Sequence, residues 1–164
     1  MKTIGLLGTG LLLGVLGCTQ QNSRVTTRLN QNAALAGDLP YNPLQWKVIT
    51  SAIDQKSATM YTVFGNDEAV QYVRTNTQPD YPAGSVISLV TWTQQEDPRW
   101  FGGKIPSAPR SVEFVTVGMT TDHHPSYAYQ DFEGTPLKKT SAQESQTADG
   151  RTAYLLSQRA AVMP

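Results

Sequence analysis

The chain has 164 residues, with 13 Lys and Arg against 13 Asp and Glu, and 39% of its residues are hydrophobic. This length fits one domain with a sizeable core once the first residues are set aside. The basic residues are scattered, and only Lys138 and Lys139 are adjacent, so the charge pattern indicates no nucleic-acid partner. Cys18 is the single cysteine, which excludes a disulfide within the chain.

Residues 1–17 have the pattern of an export signal. Lys2 gives a positive start, and "IGLLGTGLLLGVLG" is apolar but too short to span a bilayer well. The closing "VLGC" resembles the lipobox of bacterial lipoproteins, which implies that Cys18 becomes acylated; the alternative is a buried or reactive thiol. A diacyl or triacyl cysteine holds a protein stably on a membrane. We therefore expect a lipid-anchored protein of the bacterial cell envelope, and the absence of Asp after the cysteine favours the periplasmic face of the outer membrane.

A polar segment follows the cysteine. It is rich in Gln, Asn and Thr with few apolar residues, which predicts a flexible tether over residues 18–38 and a domain over 39–164. Without Lys2 the chain has 12 Lys and Arg against 13 Asp and Glu, a net charge of about −1. The partner that this predicts is membrane lipid, while a small ligand or an envelope protein is left open.

The first half of the domain predicts a hairpin and a helix. "WKVITSAI" and "TMYTVFG" are typical of two strands joined at "DQKSA". Asn66 suits a helix N-cap, Asp67 and Glu68 suit the first turn, and Arg74 suits the last turn. The two carboxylates are interpreted as helix-stabilising rather than catalytic.

The second half predicts further strands. "YPAG" is typical of a turn that enters a strand over residues 85–93, and residues 94–109 are predicted as a long surface loop with Trp100 and Phe101 exposed. "RSVEFVTVGM", "SYAYQDFEG" and "TAYLLSQRA" are predicted as strands, with a polar segment before the last one that has room for a short helix. Together these elements predict an α+β fold, a mainly antiparallel sheet or barrel-like domain with one or two flanking helices.

Few residues offer chemistry. The chain has no G-x-S-x-G elbow and no phosphate-binding glycine loop. His123 and His124 are adjacent, so they lack the i, i+4 spacing of a helical zinc site; with Asp122 they make only a weak metal candidate, and a solvated loop is the alternative. Glu113 alternates with Val115 in an apolar strand, which indicates an inward carboxylate; the alternatives are an outward edge position and an ion pair with Arg110.

The order of three blocks resembles the cytochrome P460 family. These blocks are "YTVFGNDEAV", "YPAGSVISLVTW" and "IPSAPRSVEFVTV", and the resemblance extends over about residues 41 to 164. It implies a mainly antiparallel β-domain with flanking helices. Haem members of this family oxidise hydroxylamine or bind nitric oxide in a periplasmic setting.

Two features that attach haem in this family are missing. The C-terminal C-x-x-C-H is replaced by "TADGRTAYLLSQRAAVMP", and the resemblance aligns Leu89 with the lysine that cross-links to the macrocycle. We therefore expect no covalent cofactor, no catalytic residue and a binding or envelope-associated role. The candidate pocket consists of Leu89, Trp92, Glu113 and Phe114. The alternative is an enzyme of the P460 type with non-covalent haem, for which the candidate axial ligands are His123, His124, Met60 and Met119.

Overall fold

The computed structural model describes residues 30–141 and 145–161. The predicted signal over 1–17, Cys18 and the first part of the predicted tether lie outside the described residues. No helix in the described ranges is long and apolar enough to cross a membrane.

Six antiparallel strands form one open sheet in which every strand pairs with its neighbours in the chain. Their bounds are β1 Lys47–Asp54, β2 Thr59–Gly65, β3 Val86–Glu96, β4 Lys104–Met119, β5 Pro125–Glu133 and β6 Lys138–Lys139. The described helices are α1 Asp67–Thr75 and α2 Ser145–Leu156, and short 3₁₀ turns cover Gln31–Ala33 and Pro43–Gln45. The predicted α+β class with an antiparallel sheet is confirmed, and the sheet is open rather than closed into a barrel.

Asn66 joins α1 to the start of β3. Its side-chain oxygen accepts from the amide of Ala69 at 3.1 Å, which caps the helix, and from the amide of Val86 at 3.0 Å. Its amide nitrogen donates to the carbonyl of Gly84 at 2.8 Å, where a φ of 90° requires the conformational freedom of glycine. The predicted N-cap and the predicted turn are both confirmed, and one side chain connects them.

Two predicted elements differ from the structure. Residues 152–156 were expected in a strand but lie in α2, because Thr152, Leu155 and Leu156 bury one helical face. The expected loop over 94–109 is much shorter, since β3 continues to Glu96 and β4 starts at Lys104. The prolines in this part of β4 give the sequence the composition of a loop. The two strands nevertheless remain paired, with register shifts along this part.

Both faces of the sheet are covered. On one face, α1 and α2 pack over a core that includes Val63, Ile87 and Leu89. On the other face, the segment before β1 contributes Ala33, Leu35, Leu39 and Trp46 against a second core, whose members include Phe114, Phe132 and Trp92. Part of the segment predicted as a tether therefore packs on the sheet, through the partly buried side chains of Ala33 and Leu35.

Candidate functional site

A row of side chains crosses three strands on the helix-covered face. Leu89 on β3 lies opposite Glu113 on β4, and Glu113 lies opposite Asp131 on β5. Residues that face each other in an antiparallel pair share one side of the sheet. The strand register thus brings two carboxylates together beside a buried leucine.

Glu113 is 5% exposed and is held by three hydrogen bonds. Arg151 of α2 donates from Nε to Oε2 at 2.8 Å and from Nη2 to Oε1 at 2.6 Å, a bidentate ion pair. The hydroxyl of Tyr129 donates to Oε2 at 2.7 Å. Tyr154 then stacks below the guanidinium, with its ring centroid 4.8 Å from Arg151 Cζ. We call Glu113, Asp131, Tyr129 and Arg151 the carboxylate cluster.

Burial and charge shift three pKa values in the carboxylate cluster. Burial, followed by the hydrogen bond to Glu113, raises the pKa of the Tyr129 hydroxyl. The hydrogen bonds to Glu113 raise the pKa of Arg151, although burial opposes this. Burial and the negative charges of Glu113 and Glu133 raise the pKa of Asp131 to about 6. Arg151 is thus a fixed cation, while Asp131 takes up a proton at a higher pH than an ordinary aspartate.

Asp131 also has an incompletely bonded side chain. Its Oδ2 accepts a long bond from the Thr140 hydroxyl at 3.4 Å, whereas the buried Oδ1 has no hydrogen-bond partner among the described residues. A buried oxygen without a partner disfavours the ionised form. This agrees with the direction of the pKa shift.

A cavity of about 590 Å³ lies between α2, the start of β5 and the segment before β3. Tyr129 borders both this cavity and the carboxylate cluster. Asp80 and Asp149 line it, and among the described residues no Lys or Arg does. The other lining residues are Pro79, Pro125, Ser126, Tyr127, Ala148, Thr152, Ala153, Leu156 and Ser157. We call this space the α2–β5 cavity.

The four residues predicted to line one pocket are divided between the two faces of the sheet. Leu89 and Glu113 face α1 and α2, whereas Trp92 and Phe114 belong to the core under the N-terminal segment. Side chains alternate between the two faces along a strand, so Leu89 and Trp92, three positions apart on β3, lie on opposite faces, as do the adjacent residues Glu113 and Phe114 on β4. A single pocket lined by all four is therefore not formed by the described residues.

The candidate iron ligands do not converge on Leu89. His123 and His124 are exposed in the turn between β4 and β5, and Met119 is exposed at the end of β4. Met60 packs in the core on the opposite face of the sheet from Leu89. Among the described residues, no three His, Cys, Asp or Glu side chains come together to hold a metal ion.

Comparison with protein families identifies the relationship of the chain. The cytochrome P460 family model matches residues 41–150, which include the helix from Asn66, the turn at Gly84 and the strands that carry Leu89 and Glu113. The chain belongs to the cytochrome P460 family. No curated protein matches it.

The cytochrome P460 family implies haem. The position that the resemblance aligns with the attachment of haem is Leu89. Leu89 is 3% exposed and lies in one continuous core with Leu155 and Leu156 of α2. Side chains fill the space against it, and leucine has no nucleophile. The part of the chain that the structure describes contributes no Cys, His, Met or Lys to the lining of the nearby α2–β5 cavity. These residues do not fit a covalently attached haem.

The sequence indicated only part of the carboxylate cluster. The sequence left open whether Glu113 is inward or is an outward residue or one paired with Arg110; in the structure it is buried and its ion pair is with Arg151. Arg151 was not predicted because residues 152–160 were interpreted as a strand, which puts residues on alternate faces instead of on one helical face. Helical spacing of Arg151 with Leu155, both facing the sheet in α2, is the signal that would have identified it.

Proposed function

We propose that the protein is a lipid-anchored P460-family domain of the bacterial envelope that has lost covalent haem and serves as a non-redox binding module. The observation that carries this proposal is Leu89, a residue 3% exposed in the core under α1 and α2, where the resemblance aligns a cross-linking lysine. The other attachment chemistry of the family needs two thiols, and Cys18 is the single cysteine. Its position after "VLG" assigns it to acylation instead.

The carboxylate cluster supports a binding role rather than a redox role. Arg151 forms an ion pair with Glu113, so the two charges neutralise each other and the pair attaches α2 to the sheet. Next to this fixed support, the α2–β5 cavity has the volume of a small-molecule site. Its tyrosines, prolines and two carboxylates favour a small neutral or cationic organic ligand over an anion.

The deciding experiment measures haem in the full-length protein made by cells that mature c-type cytochromes and receive added haem. We expect no Soret band with stoichiometric iron and no haem-staining band after denaturing electrophoresis. A Leu89→Lys variant serves as the matched control, because it returns an amine to the position without creating space. We expect this variant to remain without attached haem.

Two results would contradict the proposal in different ways. Haem that survives denaturation would refute the loss of covalent attachment. A Soret band that disappears on denaturation would instead support the alternative function, a P460-type protein that acts on hydroxylamine or nitric oxide through non-covalent haem.

A further inference from the structure

The tip of the β3–β4 hairpin exposes two large aromatic side chains. Residues 97–103 connect the two strands, and we call them the hairpin tip. Trp100 is 74% exposed and Phe101 is fully exposed. Single exposed apolar residues are common on proteins, but two adjacent aromatics at the end of a hairpin form a contiguous apolar surface of the kind that marks interaction sites.

Hydrogen bonds within the hairpin tip hold it in a defined conformation. The amide of Asp97 donates to the carbonyl of Gly103 at 2.9 Å, and the amide of Gly103 donates to the carbonyl of Trp100 at 2.9 Å. The carboxylate of Asp97 accepts from the amide of Arg99 at 2.8 Å. Gly102, with a φ of 75°, permits the left-handed turn. These bonds close the tip on itself while the two aromatic side chains remain exposed.

The charges next to the aromatics cancel. Glu96 and Asp97 are acidic, and Arg99 and Lys104 are basic. Lys104 also forms an ion pair with Glu96 across the hairpin. A tip with no net charge recognises its partner through apolar contact, and this contact should be insensitive to salt.

The described chain begins beside this hairpin. The side chain of Asn30 donates to the carbonyl of Pro106 on β4 and accepts from the Gln95 amide on β3 at 3.3 Å. Cys18 precedes Asn30 by 12 residues, and a chain of that length reaches at most roughly 40 Å in any conformation. The chain that leads to the proposed lipid anchor therefore leaves the domain at the end of the sheet that carries the hairpin tip, with the anchor within this distance of Asn30.

We propose that Trp100 and Phe101 insert into the interfacial region of the membrane that carries acylated Cys18. This inference rests on the lipid anchoring in the proposed function. Tryptophan is favoured at the level of the lipid headgroups, where its ring is buried and its N–H stays hydrated. The anchor and the hairpin tip together form two attachment points, which fix the orientation of the domain on the membrane.

The test uses the full lipidated protein in phosphatidylcholine vesicles that contain brominated lipid. Trp100 is the most exposed of the three tryptophans, since Trp92 is buried and Trp46 is half-buried. We expect brominated lipid to quench Trp100, with no change at high salt, and we expect Trp100→Phe to remove the quenching. Phe101→Ser should shift the insertion equilibrium by about tenfold. Met119→Ser, which changes an exposed apolar side chain at the last residue of β4 and outside the α2–β5 cavity, should leave the quenching unchanged.

The outcomes separate this proposal from the one it rests on. The mass of the N-terminal peptide reports acylation independently, and an unmodified Cys18 would overturn the anchoring and the insertion together. Acylated, vesicle-bound protein whose Trp100 stays open to aqueous quencher would overturn the insertion alone. If Trp100 became protected only after envelope proteins were added to the vesicles, the tip would bind a protein, and membrane insertion would again be refuted.

Discussion

The ion pair between Arg151 and Glu113 should stabilise the fold asymmetrically, because only one of its partners can return to water. Arg151→Met removes both guanidinium bonds from a carboxylate whose side chain is 7% exposed, whereas Arg151 itself is 39% exposed. Breaking a buried pair costs about 3–5 kcal/mol. Solvent screening on the arginine side lowers the expected loss to about 2–3 kcal/mol in the free energy of unfolding.

The converse substitution should cost less. In Glu113→Leu the guanidinium can hydrate at the surface, so we expect a loss of about 1 kcal/mol. The double variant Glu113→Leu/Arg151→Met should lie within about 1 kcal/mol of the unmodified protein, since an apolar pair replaces an ionic one. Urea unfolding followed by tryptophan fluorescence measures all three. Arg110→Met is the control, an exposed arginine on the same strand as Glu113, with an expected effect within about 0.5 kcal/mol.

The proposed stabilisation by the ion pair would be refuted if Arg151→Met were as stable as the Arg110→Met control. It would also be refuted if Glu113→Leu cost more than Arg151→Met, because the fixed carboxylate would then contribute through packing and not through its charge. Equal losses with no coupling in the double variant would show that the two side chains act independently.

Three further predictions concern the same face of the sheet and its helices. The pKa of Asp131 is raised to about 6 from an ordinary value of 3.8. Between these pH values the native state therefore binds more protons than the unfolded state. The stability that protonated Asp131 contributes is present at low pH and is lost as the pH rises through 6. Asp131→Asn should reduce the pH dependence of the free energy of unfolding, which unfolding curves at pH 4.5 and 7.5 measure. An unchanged pH dependence would contradict its assignment to Asp131. Leu89→Ala should cost about 2–4 kcal/mol and Leu89→Met less than about 1.5 kcal/mol in urea unfolding; equal losses would mean that the space against Leu89 is not filled. Asn66→Ala should cost about 2 kcal/mol or more by thermal unfolding, because it removes bonds to α1, the turn and β3 together; a loss below about 0.5 kcal/mol would contradict this joint role.

Local signals in the sequence were sufficient where neighbouring residues determine the structure. The N-cap at Asn66, the glycine turn at Gly84 and the strand containing Glu113 depend on short-range hydrogen bonds and alternation, and these predictions are confirmed. The helical state of residues 152–156 depends on packing against the sheet, so local alternation was misleading there. The split of Trp92 from Leu89 follows from the alternation of side chains along β3, so the spacing of three positions already placed them on opposite faces and the predicted common pocket was wrong.

The carboxylate cluster required long-range information as well. Arg151 and Glu113 are 38 positions apart and meet only because α2 packs on the sheet. Composition and spacing predicted that Glu113 needs a partner, since an unpaired buried carboxylate is costly. They did not identify Arg151, because several arginines were available and the choice among them is made by the fold.

The two proposed interaction regions lie at opposite ends of β4. The hairpin tip precedes Lys104, the first residue of this strand, while Pro125 and Tyr127 of the α2–β5 cavity pair with Met119 and Val117 near its last residue. A domain whose hairpin tip contacts the membrane therefore presents the cavity toward the aqueous side. Ligand entry would then require no movement of the membrane contact, so Phe101→Ser should alter tryptophan quenching by lipid without altering ligand binding in the cavity.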